Sequence, residues 1–222
     1  MKRIRTIVLT GGPCGGKSTV LRALREEFGD RLVPVPEAAT VLFEGGFPVP
    51  GRDIEWSEAW QEAFQPAVLA LQAALEQSHA LLAADRDVVL VCDRGRLDGA
   101  AYTEGGVGAF CRIHGLDEAE THGRYDLVIH LESLATSHPE RYGTEGNAAR
   151  YESLEQAQAL EHATREAWGN HPRRIVIGGE RGMEGKIADV VALVRELLGE
   201  DDGYPGAEAG SDVEMLEPIS KI

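Results

Sequence analysis

The chain has 222 residues, a length for one domain, and its 43% hydrophobic and 27% charged residues exclude wholesale disorder. Thirty-seven Asp and Glu against 22 Lys and Arg leave a net charge of −15, a field that repels nucleic acid and anionic lipid but permits one locally positive site for a small phosphorylated ligand. Cys14, Cys92 and Cys111 are too few, and odd in number, for a disulfide framework and fit a reducing compartment.

The basic start, Met1-Lys2-Arg3-Ile4-Arg5, is followed by too short an apolar run for a secretory segment, and the apolar stretch 67–75 is broken by Gln72. The expectation is a cytoplasmic protein with no membrane span. A β-branched run at 4–9 predicts the first buried strand, and Val20, Leu21, Leu24 and Phe28 at helical spacing predict a helix over 18–28. A second strand is expected at 32–35. The Ala- and Leu-rich stretch 56–84 predicts a long helix, kinked or broken at Pro66. Further strands are expected at 88–92, 127–131 and 174–177, and further helices at 151–168 and 183–198. Continuous apolar runs are the pattern of parallel strands buried on both faces. Their alternation with helices predicts an α/β fold, a parallel sheet wound on both sides. Residues 1–199 are expected to form this domain. Residues 200–222 carry −6 of the charge without apolar periodicity, the pattern of a disordered, acidic tail.

Gly11-Gly12-Pro13-Cys14-Gly15-Gly16-Lys17-Ser18, followed by Thr19, matches G-x-x-x-x-G-K-[ST] between a predicted strand and a predicted helix, the context that this phosphate-binding motif requires. Glycines let successive backbone N–H groups curl around a phosphate, and the helix N-terminus adds its positive end. Lys17 brings a point charge to β- and γ-phosphates, and the Ser18 hydroxyl is placed to ligate Mg²⁺. Cys14 either has its thiol pKa lowered at this helix start or fills a slot for a small residue.

Two strand ends carry acids. Asp93 closes Val91-Cys92-Asp93-Arg94-Gly95, where open parallel sheets bind ligands. It is either a Mg²⁺ carboxylate or a turn-former, and Arg94 either clamps phosphate or acceptor, or neutralises Asp93. Glu37, in Val35-Pro36-Glu37-Ala38, is either a general base for an acceptor hydroxyl or an acid favoured by a helix's first turn.

Together the motif at 11–18, the Pro36-Glu37 strand end, Asp93-Arg94-Gly95 and the distal arginines resemble the P-loop nucleoside and nucleotide kinases. The likeness covers residues 3–198 and is closest to small ATP/GTP-binding proteins labelled as an AAA-type domain, similar to the ribosylnicotinamide kinase half of bifunctional NAD-synthesis proteins. It implies a P-loop NTPase three-layer sandwich with strand order 2-3-1-4-5. It also implies a carboxylate, Glu37 or Asp93, near the acceptor hydroxyl, and a lid over 138–150 whose Arg150 or Arg141 meets the transferring phosphoryl group. Phe64-Gln65 resembles a pair with which some deoxynucleoside kinases hold a base. Trp56, Trp60 and Phe64, four residues apart, either offer a stacking face or belong to the core.

No second acid completes the strand-end run of motor ATPases, and no length remains for their lid domain. The histidines lack zinc spacing, Cys111 and His114 standing without further ligands, and no G-x-S-x-G elbow supports acyl transfer. The expected activity is Mg²⁺-dependent transfer of the γ-phosphoryl group of ATP or GTP to a hydroxyl of a nucleoside-like small molecule. A regulatory nucleotide switch without such an acceptor is the alternative. The acceptor, the choice between ATP and GTP, and the oligomeric state are left open by the sequence.

Overall fold

Strands form where the apolar runs predict them: β1 Arg5–Thr10, β2 Leu32–Val35, β3 Val89–Asp93, β4 Leu127–Leu131 and β5 Arg174–Ile177. The structure, a computed structural model, describes residues 4–142 and 153–200. All pairings are parallel, in the order β2-β3-β1-β4-β5. This is the expected α/β sheet with the expected order.

Eight α-helices are described: α1 Lys17–Phe28, α2 Ala38–Glu44, α3 Glu58–Leu82, α4 Gly106–His114, α5 Glu118–His122, α6 Leu134–Ser137, α7 Leu154–Ala167 and α8 Gly182–Leu198. Successive strand residues point to opposite sheet faces, and the two cores divide accordingly. Ile7, Leu9, Val89, Val91 and Ile129 pack with Val20 and Leu24 of α1 and Val190 and Val194 of α8. Val8, Leu90, Cys92 and Val128 pack on the other face with Phe110 and Trp168. Each fully buried Leu, Ile or Val contributes about 1.5–3 kcal/mol, which is why β1, β3 and β4 are each built around a short apolar run.

Differences from expectation have local causes. The helix expected over 56–84 starts at Glu58, because Ser57 caps it by accepting the Trp60 N–H at 3.2 Å. It runs without a break through Pro66 to Leu82. Proline removes one donor, and a 25-residue helix anchored by buried Phe64, Gln65 and Gln72 tolerates that loss. Ser153 and Gln156 form a reciprocal capping box that starts α7 at Leu154. Gly199, at φ +70, closes α8 in the left-handed conformation. Arg150 and residues 201–222, the bulk of the expected tail, lie outside the described residues. Among the described residues no helix is long and apolar enough to cross a membrane.

Candidate functional site

Three strands deliver the site to one edge of the sheet. β1 runs into the glycine-rich loop, β2 ends just before Glu37 and β3 ends at Asp93, with Leu9 paired to Asp93. Gly11 adopts φ +138, and a Cβ there would collide with the Leu131 carbonyl oxygen, so only glycine lets the loop pass β4. The loop then opens into α1, whose first residue is Lys17.

The Lys17 ammonium donates to the carbonyls of Gly11 at 2.9 Å and Gly12 at 3.2 Å. Burial lowers its pKa to about 8, aided by the Arg94 charge and opposed by Asp93, Glu37 and Asp98. Ser18, exposed, and Thr19 follow in the first turn of α1. Pro13 accepts a hydrogen bond from the Ser133 hydroxyl and Cys14 accepts one from the Leu134 N–H, so β4 and α6 brace the loop's outer side.

Acids and Arg94 converge beside Lys17. Asp93 has a buried Oδ1 with no hydrogen-bond partner among the described residues. Burial raises its pKa to about 6, reinforced by the Glu37 charge and opposed by Lys17 and Arg94. Arg94, at φ +68, extends to Glu37 Oε1 at 2.6 Å and Asp98 Oδ1 at 3.1 Å. The guanidinium is thus engaged by these two acids, while its charge also favours the ionised form of Asp93. Asp98 is buried and also accepts from the Thr10 hydroxyl at 2.5 Å, the Gly95 N–H at 2.8 Å and the Trp168 indole N–H at 3.1 Å. Burial alone would raise the pKa of Glu37, but Arg94, the Thr40 hydroxyl at 2.7 Å and Lys17 together hold it below the usual value. Glu37 is the N-cap residue of α2.

The unpaired Asp93 oxygen and the Ser18 hydroxyl in the first turn of α1 are oxygen donors of the kind that suits Mg²⁺, which takes one or two protein oxygens and fills its octahedron with phosphate and water. Among the described residues no group of three or more His, Cys, Asp or Glu forms a self-sufficient metal cage. Such a cage is not what a nucleotide-borne Mg²⁺ needs.

Next to Glu37 and Arg94 lies a cavity of about 500 Å³ between α2, α3 and the short helical turn Asp98–Tyr102. Phe43 and Trp60 stack on Phe64 with ring centroids 5.0 and 4.5 Å apart, and the Trp60 indole donates to the Pro48 carbonyl at 2.9 Å. Trp56, Trp60 and Phe64 belong to neither core cluster; they line this cavity, Trp56 at its exposed edge. Gln61 Nε2 and Gln65 Oε1, also on the lining, are buried without partners among the described residues. Beneath them Glu76 accepts from Arg96 at 3.1 Å and from the Tyr125 hydroxyl at 2.8 Å, which fixes Arg96 in the wall.

The structure therefore brings together the loop, Lys17, Glu37, Asp93 and Arg94. Arg141 lies in the turn Pro139–Arg141, and Arg150 is outside the described residues. Sequence reasoning missed Asp98, which ties Thr10, Arg94 and Trp168 into one network, and Gln61. It also missed Glu161, His130 and Lys186, which surround the loop: Glu161 Oε2 accepts the Gly12 N–H at 2.7 Å, His130 bonds Glu161, and Lys186 donates to the Gly15 carbonyl at 3.4 Å. His130 had a visible signal, a polar residue in the apolar run Leu127-Val128-Ile129-His130-Leu131.

A family model described as an AAA domain matches residues 6–184. The match takes in the glycine-rich loop, both strand-end acids and the whole of α7. No curated protein matches the chain.

Proposed function

The chain belongs to this AAA-domain family of P-loop nucleotide-binding type, and from that premise we propose that it is a kinase acting on a hydroxyl of a nucleoside-like small molecule. The observation that carries the reading is the aromatic cavity opening beside Glu37 and Arg94. A kinase needs a chamber for its acceptor beside the phosphates, a need that a nucleotide switch does not have, and the cavity of about 500 Å³ supports the first reading. Stacked aromatics suit a flat ring, and the unpaired Gln61 and Gln65 atoms suit a ligand with both a hydrogen-bond acceptor and a donor.

In this reading the loop amides and Lys17 hold the triphosphate of ATP or GTP. Ser18 and Asp93 would hold Mg²⁺, which neutralises charge on the β- and γ-phosphates. Glu37, ionised at neutral pH, accepts the proton of the acceptor hydroxyl as that oxygen attacks the γ-phosphorus and the bond from phosphorus to the bridging oxygen breaks, its electron pair leaving with ADP or GDP. Arg94 holds Glu37 in place through its 2.6 Å bond. Arg150 and Arg141 supply lid cations in the same proposal, and residues 1–199 act as the catalytic domain with 200–222 as an appended acidic tail. Catalysis is positioning plus charge neutralisation.

The test is a screen of nucleosides, including ribosylnicotinamide-like ones, with ADP and GDP release followed at saturating donor and Mg²⁺. The proposal expects at least one acceptor to raise release well above the water background. Release indifferent to every acceptor would favour the regulatory NTPase instead.

A further inference from the structure

Behind the glycine-rich loop lies a buried acid that the proposed chemistry does not use. Glu161, on α7, is 5% exposed. Its Oε2 accepts the Gly12 N–H at 2.7 Å and its Oε1 lies 2.6 Å from Nε2 of the fully buried His130. An ionised carboxylate only accepts, so His130 Nε2 carries the proton. Burial works against ionisation here, but His130 and the backbone N–H groups of Gly12 and Ser133 outweigh it and hold the Glu161 pKa low. A Cβ on Gly12 would run into the Glu161 side chain and lie 2.9 Å from its Cα. The loop and α7 are therefore in contact at this point.

The Gly12 N–H and the Gly11 carbonyl belong to one peptide unit. In a trans peptide these groups point in opposite directions from one rigid plane. Fixing the N–H on Glu161 therefore aims the carbonyl away from α7. That carbonyl is the oxygen on which the Lys17 ammonium rests, at 2.9 Å. A chain of three contacts thus joins His130 to Glu161, Glu161 to the Gly11–Gly12 peptide, and that peptide to Lys17. On the far side of the loop Lys186, itself buried, donates to the carbonyls of Gly15 and Glu132, so the loop is held by opposite charges at two points.

We infer that Glu161 is a positioning residue for Lys17, acting through the orientation of the Gly11–Gly12 peptide and itself steadied by His130. The inference rests on the nucleotide reading of the loop and is independent of the acceptor. A merely structural clasp between α7 and the loop would instead cost stability without singling out Lys17.

The experiment is a double-mutant cycle on the full chain, with MgATP binding measured by calorimetry and folding checked by melting temperature. Glu161→Ala is expected to weaken MgATP about tenfold, the share of one charge-assisted hydrogen bond. In a Lys17→Ala background the same change should cost less than twofold, because the group that Glu161 positions is gone. Glu161→Gln should recover most of the affinity: its oxygen still accepts from Gly12, and its amide can donate to the other tautomer of His130. Glu161→Leu, which fills the volume, replaces Ala in the cycle if the alanine variant does not fold. Equal losses in both backgrounds, or a folded Glu161→Ala or Leu variant that binds MgATP like the parent, would overturn the inference. A parent chain that binds no MgATP would remove the nucleotide reading itself and this inference with it.

Discussion

The two halves of the site are finished to different degrees. Around the glycine-rich loop the charged groups Lys17, Glu161 and Lys186 each have a protein partner, and the backbone groups of Gly11, Gly12, Pro13 and Gly15 are held by side chains. Across Glu37, the cavity holds buried polar atoms with none among the described residues, Gln61 Nε2 and Gln65 Oε1, and Asp93 Oδ1 is likewise without one. Leaving a buried polar atom unpaired costs about 1–3 kcal/mol. In the proposed function the loop is preorganised for the donor nucleotide, whereas the cavity offers hydrogen bonds that a matching acceptor would complete.

That contrast is most severely tested at Lys17. Lys17→Ala should reduce phosphoryl transfer to near background and weaken nucleotide binding about tenfold or more, with little change in melting temperature. Kinetics and calorimetry on one preparation decide it. Glu37→Gln should lower kcat by about 10²–10⁴-fold while nucleotide Kd stays within about twofold. A matching loss in nucleotide affinity would place Glu37 in the donor half instead.

Smaller effects sharpen the cavity side. Gln65→Leu removes an unpaired buried oxygen, so it should raise the melting temperature slightly while raising acceptor KM about tenfold and sparing nucleotide Kd. Asp93 gives the smallest change and one with a defined sign. Its folded-state pKa, about 6, lies above the ordinary carboxylate value. Protonation therefore favours folding, and stability falls as pH rises from the ordinary value through about 6. Asp93→Asn should abolish that fall and raise the melting temperature by about a few degrees at neutral pH in chelator, while increasing the Mg²⁺ concentration needed for half-maximal turnover. Melting curves at pH 5 and 7.5 for parent and variant are the check.

The contiguous half of the site was legible because its chemistry is contiguous. Eight consecutive residues, 11–18, carry the loop, and Glu37 and Asp93 stand at strand ends that apolar runs announce. Asp98, Glu161 and Lys186 were not legible, since their contacts join residues 88, 149 and 171 positions apart and no spacing rule reaches that far. Trp60 and Phe64 illustrate a subtler limit, Trp56 lying before α3 begins at Glu58. Fourfold spacing puts side chains on one helix face without saying whether that face meets a core or a void. α3 packs against α2 with room left between, and the face became a cavity wall. Pro66 was misleading for a related reason. Its local penalty is real, but a helix anchored by Phe64, Gln65 and Gln72 as buried residues continues across it.

The most direct measurement follows the phosphoryl group itself. The parent chain is incubated with ATP labelled at the γ-phosphate, Mg²⁺ and a nucleoside acceptor from the screen, and the products are separated. The account predicts label on a hydroxyl of the acceptor, lost in Glu37→Gln and reduced at low acceptor concentration in Gln65→Leu. Label released only as inorganic phosphate, at a rate unchanged by any acceptor and by Gln65→Leu, would contradict it.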